Sequence, residues 1–127
     1  MKKEIIATEK APKAIGPYSQ GVKAGGLVFF SGQIPLDPVT GEIAGKDIAE
    51  QTERVMENIA ALLAATGLGF SDVVKSTIYL TDLADFGVVN GIYGRSFPEN
   101  QPARSTVEVK ALPRGAGVEI EVVALSP

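Results

Sequence analysis

Val118-Glu119-Ile120-Glu121-Val122-Val123-Ala124-Leu125 is the stretch on which the fold turns. Successive side chains of a strand point to opposite faces, so Val118, Ile120, Val122 and Ala124 share one face and Glu119, Glu121, Val123 and Leu125 the other. The first face is apolar throughout. The second opens with two carboxylates and then turns apolar, so both faces ask for cover. Helices can cover only one face of such a sheet, and the remaining apolar surface then needs a partner, most simply another copy of the chain.

Upstream, Pro113-Arg114-Gly115-Ala116-Gly117 reads as a loose hairpin turn leading back to a strand over Ser105–Ala111. Strands are also expected over Val74–Thr81 and Leu27–Ser31, where β-branched and aromatic residues gather. Gly25-Gly26 marks a tight hairpin between Val22-Lys23-Ala24 and Leu27, and Asp37-Pro38-Val39-Thr40-Gly41 a further turn. Ile48, Thr52, Val55, Ile59, Leu62 and Thr66 recur at steps of three and four, flanked by Met56 and Leu63, which predicts an amphipathic helix over 48–66. Asp47 and Glu50 form a capping-box pattern at its start, and Gly67 suits its end. A second helix is expected from about Leu83 to Phe97, with Asp82 as its cap and Pro98 beyond it, although Gly87, Gly91 and Gly94 weaken it unless close packing needs them. The order of strands, helix, strand, helix and two strands predicts an α+β layer, with both helices on one face of a mixed sheet.

The 127 residues, 45% hydrophobic, suit one domain spanning 1–127, with no repeat or linker-like block. The chain has no His, Cys or Trp. That excludes a Ser-His-Asp triad, a cysteine nucleophile, a disulfide and a His or Cys zinc site within the chain. Acid–base chemistry near neutrality is left to carboxylates, Lys, Tyr, Arg, backbone groups and bound water. A net charge of −3 offers no attractive field for nucleic acid. Met1–Ile6 has no signal-peptide apolar stretch and nothing is long enough to span a membrane, so a cytoplasmic location is expected.

Few residues remain that could carry chemistry. Arg104, in Gln101-Pro102-Ala103-Arg104-Ser105-Thr106, is either a solvated residue at a strand start or a guanidinium whose planar fork holds a carboxylate. Glu119 is either an outward-facing strand carboxylate or, if the predicted hairpin brings it near Arg104, an ionised group able to take a proton from water. Gly16-Pro17-Tyr18-Ser19-Gln20 presents an aromatic hydroxyl on a rigid turn, and Ser31-Gly32-Gln33 ends a strand with a small hydroxyl residue and open backbone. Asn90 lies near the apolar stripe of the second helix, where the plain account is a buried amide bonded to backbone. Gly67-Leu68-Gly69 follows a helix and lacks a third glycine, so it is no dinucleotide fingerprint. Asp82 and Asp85 read as helix-start charges, and no metal site is expected.

Gly16–Gln20, Phe30-Ser31-Gly32-Gln33-Ile34-Pro35, Val74–Leu80, Pro102-Ala103-Arg104-Ser105 and Val118-Glu119-Ile120-Glu121 together resemble the RidA/YjgF family of reactive-intermediate deaminases, over essentially the whole chain. The resemblance implies a chorismate-mutase-like α+β subunit with a mixed six-stranded sheet in the order β-β-β-α-β-α-β-β. It also implies a homotrimer whose sheets form a central barrel with clefts between subunits. The implied reaction is hydrolysis of short-lived enamines or imines, such as 2-aminoacrylate or 2-aminocrotonate, to 2-keto acids and ammonia, without metal or organic cofactor. By resemblance, Arg104 holds the substrate carboxylate, Glu119 positions and deprotonates water, and Tyr18 closes the cleft. Ser31, Gly32 and Asn90 shape the pocket, and the backbone of Thr106 contacts the reacting amine or the water. Many relatives carry Cys where this chain has Thr106, which removes any thiol-based regulation there. The competing function is a trimer that binds 2-keto acids or small carboxylates without turnover. An RNA-cleaving activity ascribed to some relatives is disfavoured by the acidic charge and missing His.

Overall fold

A computed structural model describes residues 2–127. Strands β1 (Glu4–Ile6), β2 (Gly21–Ala24) and β3 (Leu27–Phe30) precede helix α1 (Ile48–Ala65), followed by β4 (Val73–Leu80), helix α2 (Phe86–Gly94), β5 (Ala103–Glu108) and β6 (Val118–Leu125). The expected element order and the mixed six-stranded sheet are both present, with strand order β1-β2-β3-β6-β4-β5. Only β4 and β5 run parallel, joined by the α2 crossover, and the other neighbours are antiparallel.

Local signals account for most boundaries. The Asp47 side chain accepts from Glu50 N at 2.8 Å, while the Glu50 carboxylate reaches past the cap to accept from Lys46 N at 2.7 Å. The capping pair is therefore displaced by one residue from the reciprocal box. Gly67, at φ +75°, lets Leu68 N return to Leu63 O at 2.9 Å and closes the helix one residue earlier than expected. Gly25, at φ +63°, serves the β2–β3 hairpin in the same way.

Two expectations are corrected. The second helix is shorter: Asp82 caps a 3₁₀ turn at Leu83–Asp85 by accepting from Ala84 N at 2.9 Å, and α2 starts only at Phe86. Leu83 is consequently left exposed, and Phe97 is buried beyond the helix end. Close packing does not explain the helix glycines, since a Cβ at Gly87, Gly91 or Gly94 would meet nothing within 4 Å. The other correction concerns β5 and β6, which do not form a hairpin. They lie on opposite sides of β4, and the segment between them turns through Pro113–Gly115 across the end of that strand, where Thr81 N donates to Gly117 O. The β5 strand occupies Ala103–Glu108 rather than 105–111.

Val118, Ile120, Val122 and Ala124 of β6 are buried with Ile78 and Leu80 of β4 and with Val55, Ile59, Leu62 and Leu63 of α1. This is the core, on the helix side of the sheet. A bulge between Val73 and Lys75 shifts the alternation of β4, burying both Val73 and Ser76 and leaving Val74 exposed. The other face carries Phe29 and Val123 as direct cross-strand partners, with Leu125 and Val107 also on it; Phe29, Leu125 and Val107 are exposed. Beside these lie Lys75, Thr77, Tyr79, Glu119 and Glu121. The second apolar surface anticipated from Val123 and Leu125 is thus present, and no element among the described residues covers it.

Candidate active site

Strand register separates the two main candidates. Arg104 pairs across with Ser76, which is buried against the helices, so Arg104 also lies on the helix face. Glu119 pairs across with Tyr79, one residue out of phase with Ser76, and lies on the open face. The expectation that a β5–β6 hairpin would bring them together is corrected, because β4 lies between their strands and their side chains leave the sheet on opposite sides.

The Arg104 half is built by α2. Phe86, Asn90 and Tyr93 recur at i, i+4 and i+7 and form one stripe facing the β5 edge. The guanidinium lies 5.4 Å from the Phe86 ring centroid and 5.1 Å from that of Tyr93, and it donates to Asn90 Oδ1 at 2.7 Å. Tyr93 is itself fixed by a 2.5 Å hydrogen bond with Ser76 Oγ. Asn90 is exposed and holds a side chain, contrary to the plain account of a buried amide bonded to backbone. Among the described residues no carboxylate pairs with Arg104. Thr106, two residues on and on the same face, has a buried hydroxyl with no hydrogen-bond partner. Because β5 is an edge strand, its outward backbone groups pair with no strand among the described residues.

Glu119 belongs to the other half, a cleft of about 480 Å³ that Tyr18 and Gly32 also line, with Lys13, Ile15, Leu36 and Arg114. A Cβ on Gly32 would lie only 2.9 Å from Glu119 Cδ and closer still to its carboxylate, so the absent side chain is what makes room for the acid. Burial, and secondarily the nearby charge of Glu121, raise the Glu119 pKa above its usual 4.5. The ionising influence expected from Arg104 is not exerted within the chain. Tyr18 is 53% exposed, and its hydroxyl accepts from Ile15 N at 3.4 Å. Ser31 donates to Ser19 O at 2.5 Å, which pins the Tyr18 turn, and Gly32 rather than Ser31 lines the cleft.

Two buried amides escaped the sequence reading. Gln20, 5% exposed, donates to the carbonyls of Thr8, Ala11 and Pro12 and accepts from Thr8 N, tying down the segment that leads to Tyr18. Asn58 donates to Leu36 O at 2.9 Å and anchors the cleft wall to α1. An amide interrupting an otherwise apolar helical stripe was the available signal for Asn58, whereas Gln20 sits in a turn and offered none. Among the described residues no group of three or more acidic side chains is arranged to hold a metal ion, and no helix is long and apolar enough to cross a membrane.

The arrangement resembles known proteins over its whole extent. The family model described as Endoribonuclease L-PSP matches residues 8–126. The protein named DfrA of Myxococcus xanthus is 58% identical over 128 residues, covering 99% of this chain and 98% of its own. The chloroplastic Reactive Intermediate Deaminase A of Arabidopsis thaliana is 52% identical, covering 98% of this chain and 66% of its own. Among solved structures, Escherichia coli TdcF with bound serine superposes with a TM-score of 0.92 at 44% identity, covering 98% of this chain and 99% of the other.

Proposed function

The chain belongs to the Endoribonuclease L-PSP family, also known as YjgF/RidA, and from that premise we propose that it hydrolyses 2-iminobutanoate and 2-iminopropanoate, with their enamine forms 2-aminocrotonate and 2-aminoacrylate, to 2-keto acids and ammonia. The observation that carries this reading is the separation of two incomplete halves: an arginine with no acidic partner on the helix face, and a carboxylate in a cleft on the other. A second copy of the chain, docked on the open face, unites them. The exposed Phe29, Leu125 and Val107 supply apolar surface for that contact, and a closed homotrimer satisfies it around a ring.

In such a cleft Arg104 of one copy holds the substrate carboxylate with its planar fork, kept in aim by Asn90 and the two rings. Glu119 of the neighbour orients a water and takes its proton as the oxygen attacks the imine carbon. The resulting carbinolamine collapses when the nitrogen is protonated, and the C–N bond breaks to give the keto acid and ammonia. The imine carbon is already electrophilic, so positioning and one proton acceptor suffice and the chemistry calls for no metal or organic cofactor. Tyr18 closes the cleft, Ser31 holds its turn, Gly32 admits the Glu119 carboxylate, and Thr106 offers backbone groups to the amine or the water.

A binding protein for 2-keto acids or small carboxylates is the second reading, supported by the serine in the TdcF structure. A net charge of −3 and the lack of histidine leave little with which to grip and cleave RNA. The test generates 2-aminoacrylate in place with a dehydratase and follows keto-acid release with the wild type, Arg104→Ala and Glu119→Ala. Acceleration by the wild type alone supports the deaminase. Keto-acid binding without any acceleration would replace it by the binding protein.

A further inference from the structure

The open face carries a second carboxylate that the proposed chemistry does not use. Glu121 lies two residues beyond Glu119 on β6, so both project from the same face, about 7 Å apart along the strand. Tyr79 of β4 lies directly across from Glu119, and its hydroxyl donates to Glu121 Oε1 at 2.6 Å. That bond, with burial, raises the phenol's own pKa, so Tyr79 remains a proton donor to Glu121. Glu121 is therefore not a loose surface acid but a charge fixed beside the site.

Resting on the deaminase reading above, we propose that Glu121, held in place by Tyr79, is a positioning residue that sets the pH range over which Glu119 works as a base. The physical need is specific. A carboxylate that faces a guanidinium, as Glu119 does once Arg104 of a second copy arrives, becomes a weak base because the cation stabilises its charged form. A second negative charge at a fixed distance opposes that effect and keeps the acid able to accept a proton from water near neutrality. The remaining groups around Glu119 are accounted for. From β4 comes only the neutral Tyr79, with Lys75 further along that strand and bonded to Ser105 at 3.2 Å. From the cleft walls come Tyr18, Lys13 and Arg114, the last paired with Glu42 at 3.4 Å. Glu121 is the anion among them.

The variant Glu121→Gln keeps the size of the side chain and an acceptor for Tyr79 while removing the charge. The acid limb of kcat/KM for imine hydrolysis is expected to move down by about half a pH unit to one unit, with the plateau rate changed less than about threefold. Glu121→Asp, which keeps the charge, restores most of the wild-type limb. A 13C NMR titration of the Glu119 carboxyl reports the same downward move without requiring turnover. A plateau loss with an unmoved limb and an unmoved NMR midpoint would mean that Glu121 is merely structural and would overturn the proposal. If the wild type hydrolyses no imine while the NMR midpoint still moves, the deaminase reading fails and the electrostatic coupling stands. Should Glu121→Gln fail to fold by circular dichroism, Tyr79→Phe frees the carboxylate from its fixed place and is expected to move the limb in the same direction by less; no movement in that variant would also count against the proposal.

Discussion

The two faces of the sheet are built to opposite ends. On the helix face Val118, Ile120 and Ile78 are wholly buried beneath α1, every neighbour is supplied by the same chain, and the arrangement reads as stability. On the open face Phe29 and Val123 stand beside Lys75, Tyr79, Glu119 and Glu121, a mixture that no element among the described residues covers. A fully apolar face needs only a lid, whereas a face mixing exposed apolar groups with carboxylates suits a partner that also brings charge. In the proposed assembly Arg104, stacked on α2 and paired with no carboxylate among the described residues, brings that charge.

The largest effect expected from breaking this division is chemical. Glu119→Gln, which retains shape but cannot take a proton, should lower imine hydrolysis by about 10² to 10⁴-fold in single-turnover assays while leaving keto-acid binding within a few-fold. A variant that keeps its rate would remove Glu119 from the mechanism. Gly32→Ala comes next: its Cβ would fall 2.9 Å from Glu119 Cδ, so the carboxylate must move, and a displacement of about 1 Å should cost about 10²-fold in kcat/KM. An unchanged rate there would show that the acid need not sit against Gly32.

The pH dependence follows from burial first and Glu121 second, which together raise the Glu119 pKa above 4.5. The base is active when ionised, so kcat/KM is expected to fall as the pH drops through the Glu119 pKa, which burial and Glu121 push up and the Arg104 of a second copy pulls down. The stability effect has the matching sign. Folded Glu119 holds its proton more tightly than the unfolded chain does, so its ionisation opposes folding once the pH exceeds the unfolded value. In an Arg104→Ala background, where no guanidinium offsets the shift, Glu119→Gln should therefore raise the thermal midpoint at pH 7, and that gain should disappear at a pH below the unfolded value.

Much of the helix face was legible because a single chain satisfies it. The 3.6-residue period of 48–66, the Asp47 cap and the alternation of 118–125 each declare their own burial, and the structure bears them out. The β5–β6 connection is not legible in the sequence, because Pro113–Gly117 has hairpin composition and composition does not reveal that β4 inserts between the two strands. For the same reason Arg104 and Glu119 could be named as residues but not placed: their relation depends on strand order, which leaves no local trace, and in the proposed assembly on how a second copy docks, which the 118–125 alternation calls for without orienting. The Phe86/Asn90/Tyr93 stripe was visible as a helical period, yet nothing in that period says that it faces an arginine.

The smallest expected effect concerns the α2 glycines. Because a Cβ at Gly91 would meet no other part of the described chain within 4 Å, Gly91→Ala should raise unfolding stability by about 1 kcal/mol, read by chemical denaturation. A loss of stability instead would show that another copy packs against that side of α2.

The central claim is that one working site takes Arg104 from one copy and Glu119 from another. Its most direct test is to unfold, mix and refold Arg104→Ala and Glu119→Gln subunits, each inactive alone, and to measure imine hydrolysis. In randomly mixed trimers about a quarter of the clefts would carry both intact residues, so recovery of about a quarter of wild-type activity is predicted. Mixed trimers with no activity above that of either parent would contradict it.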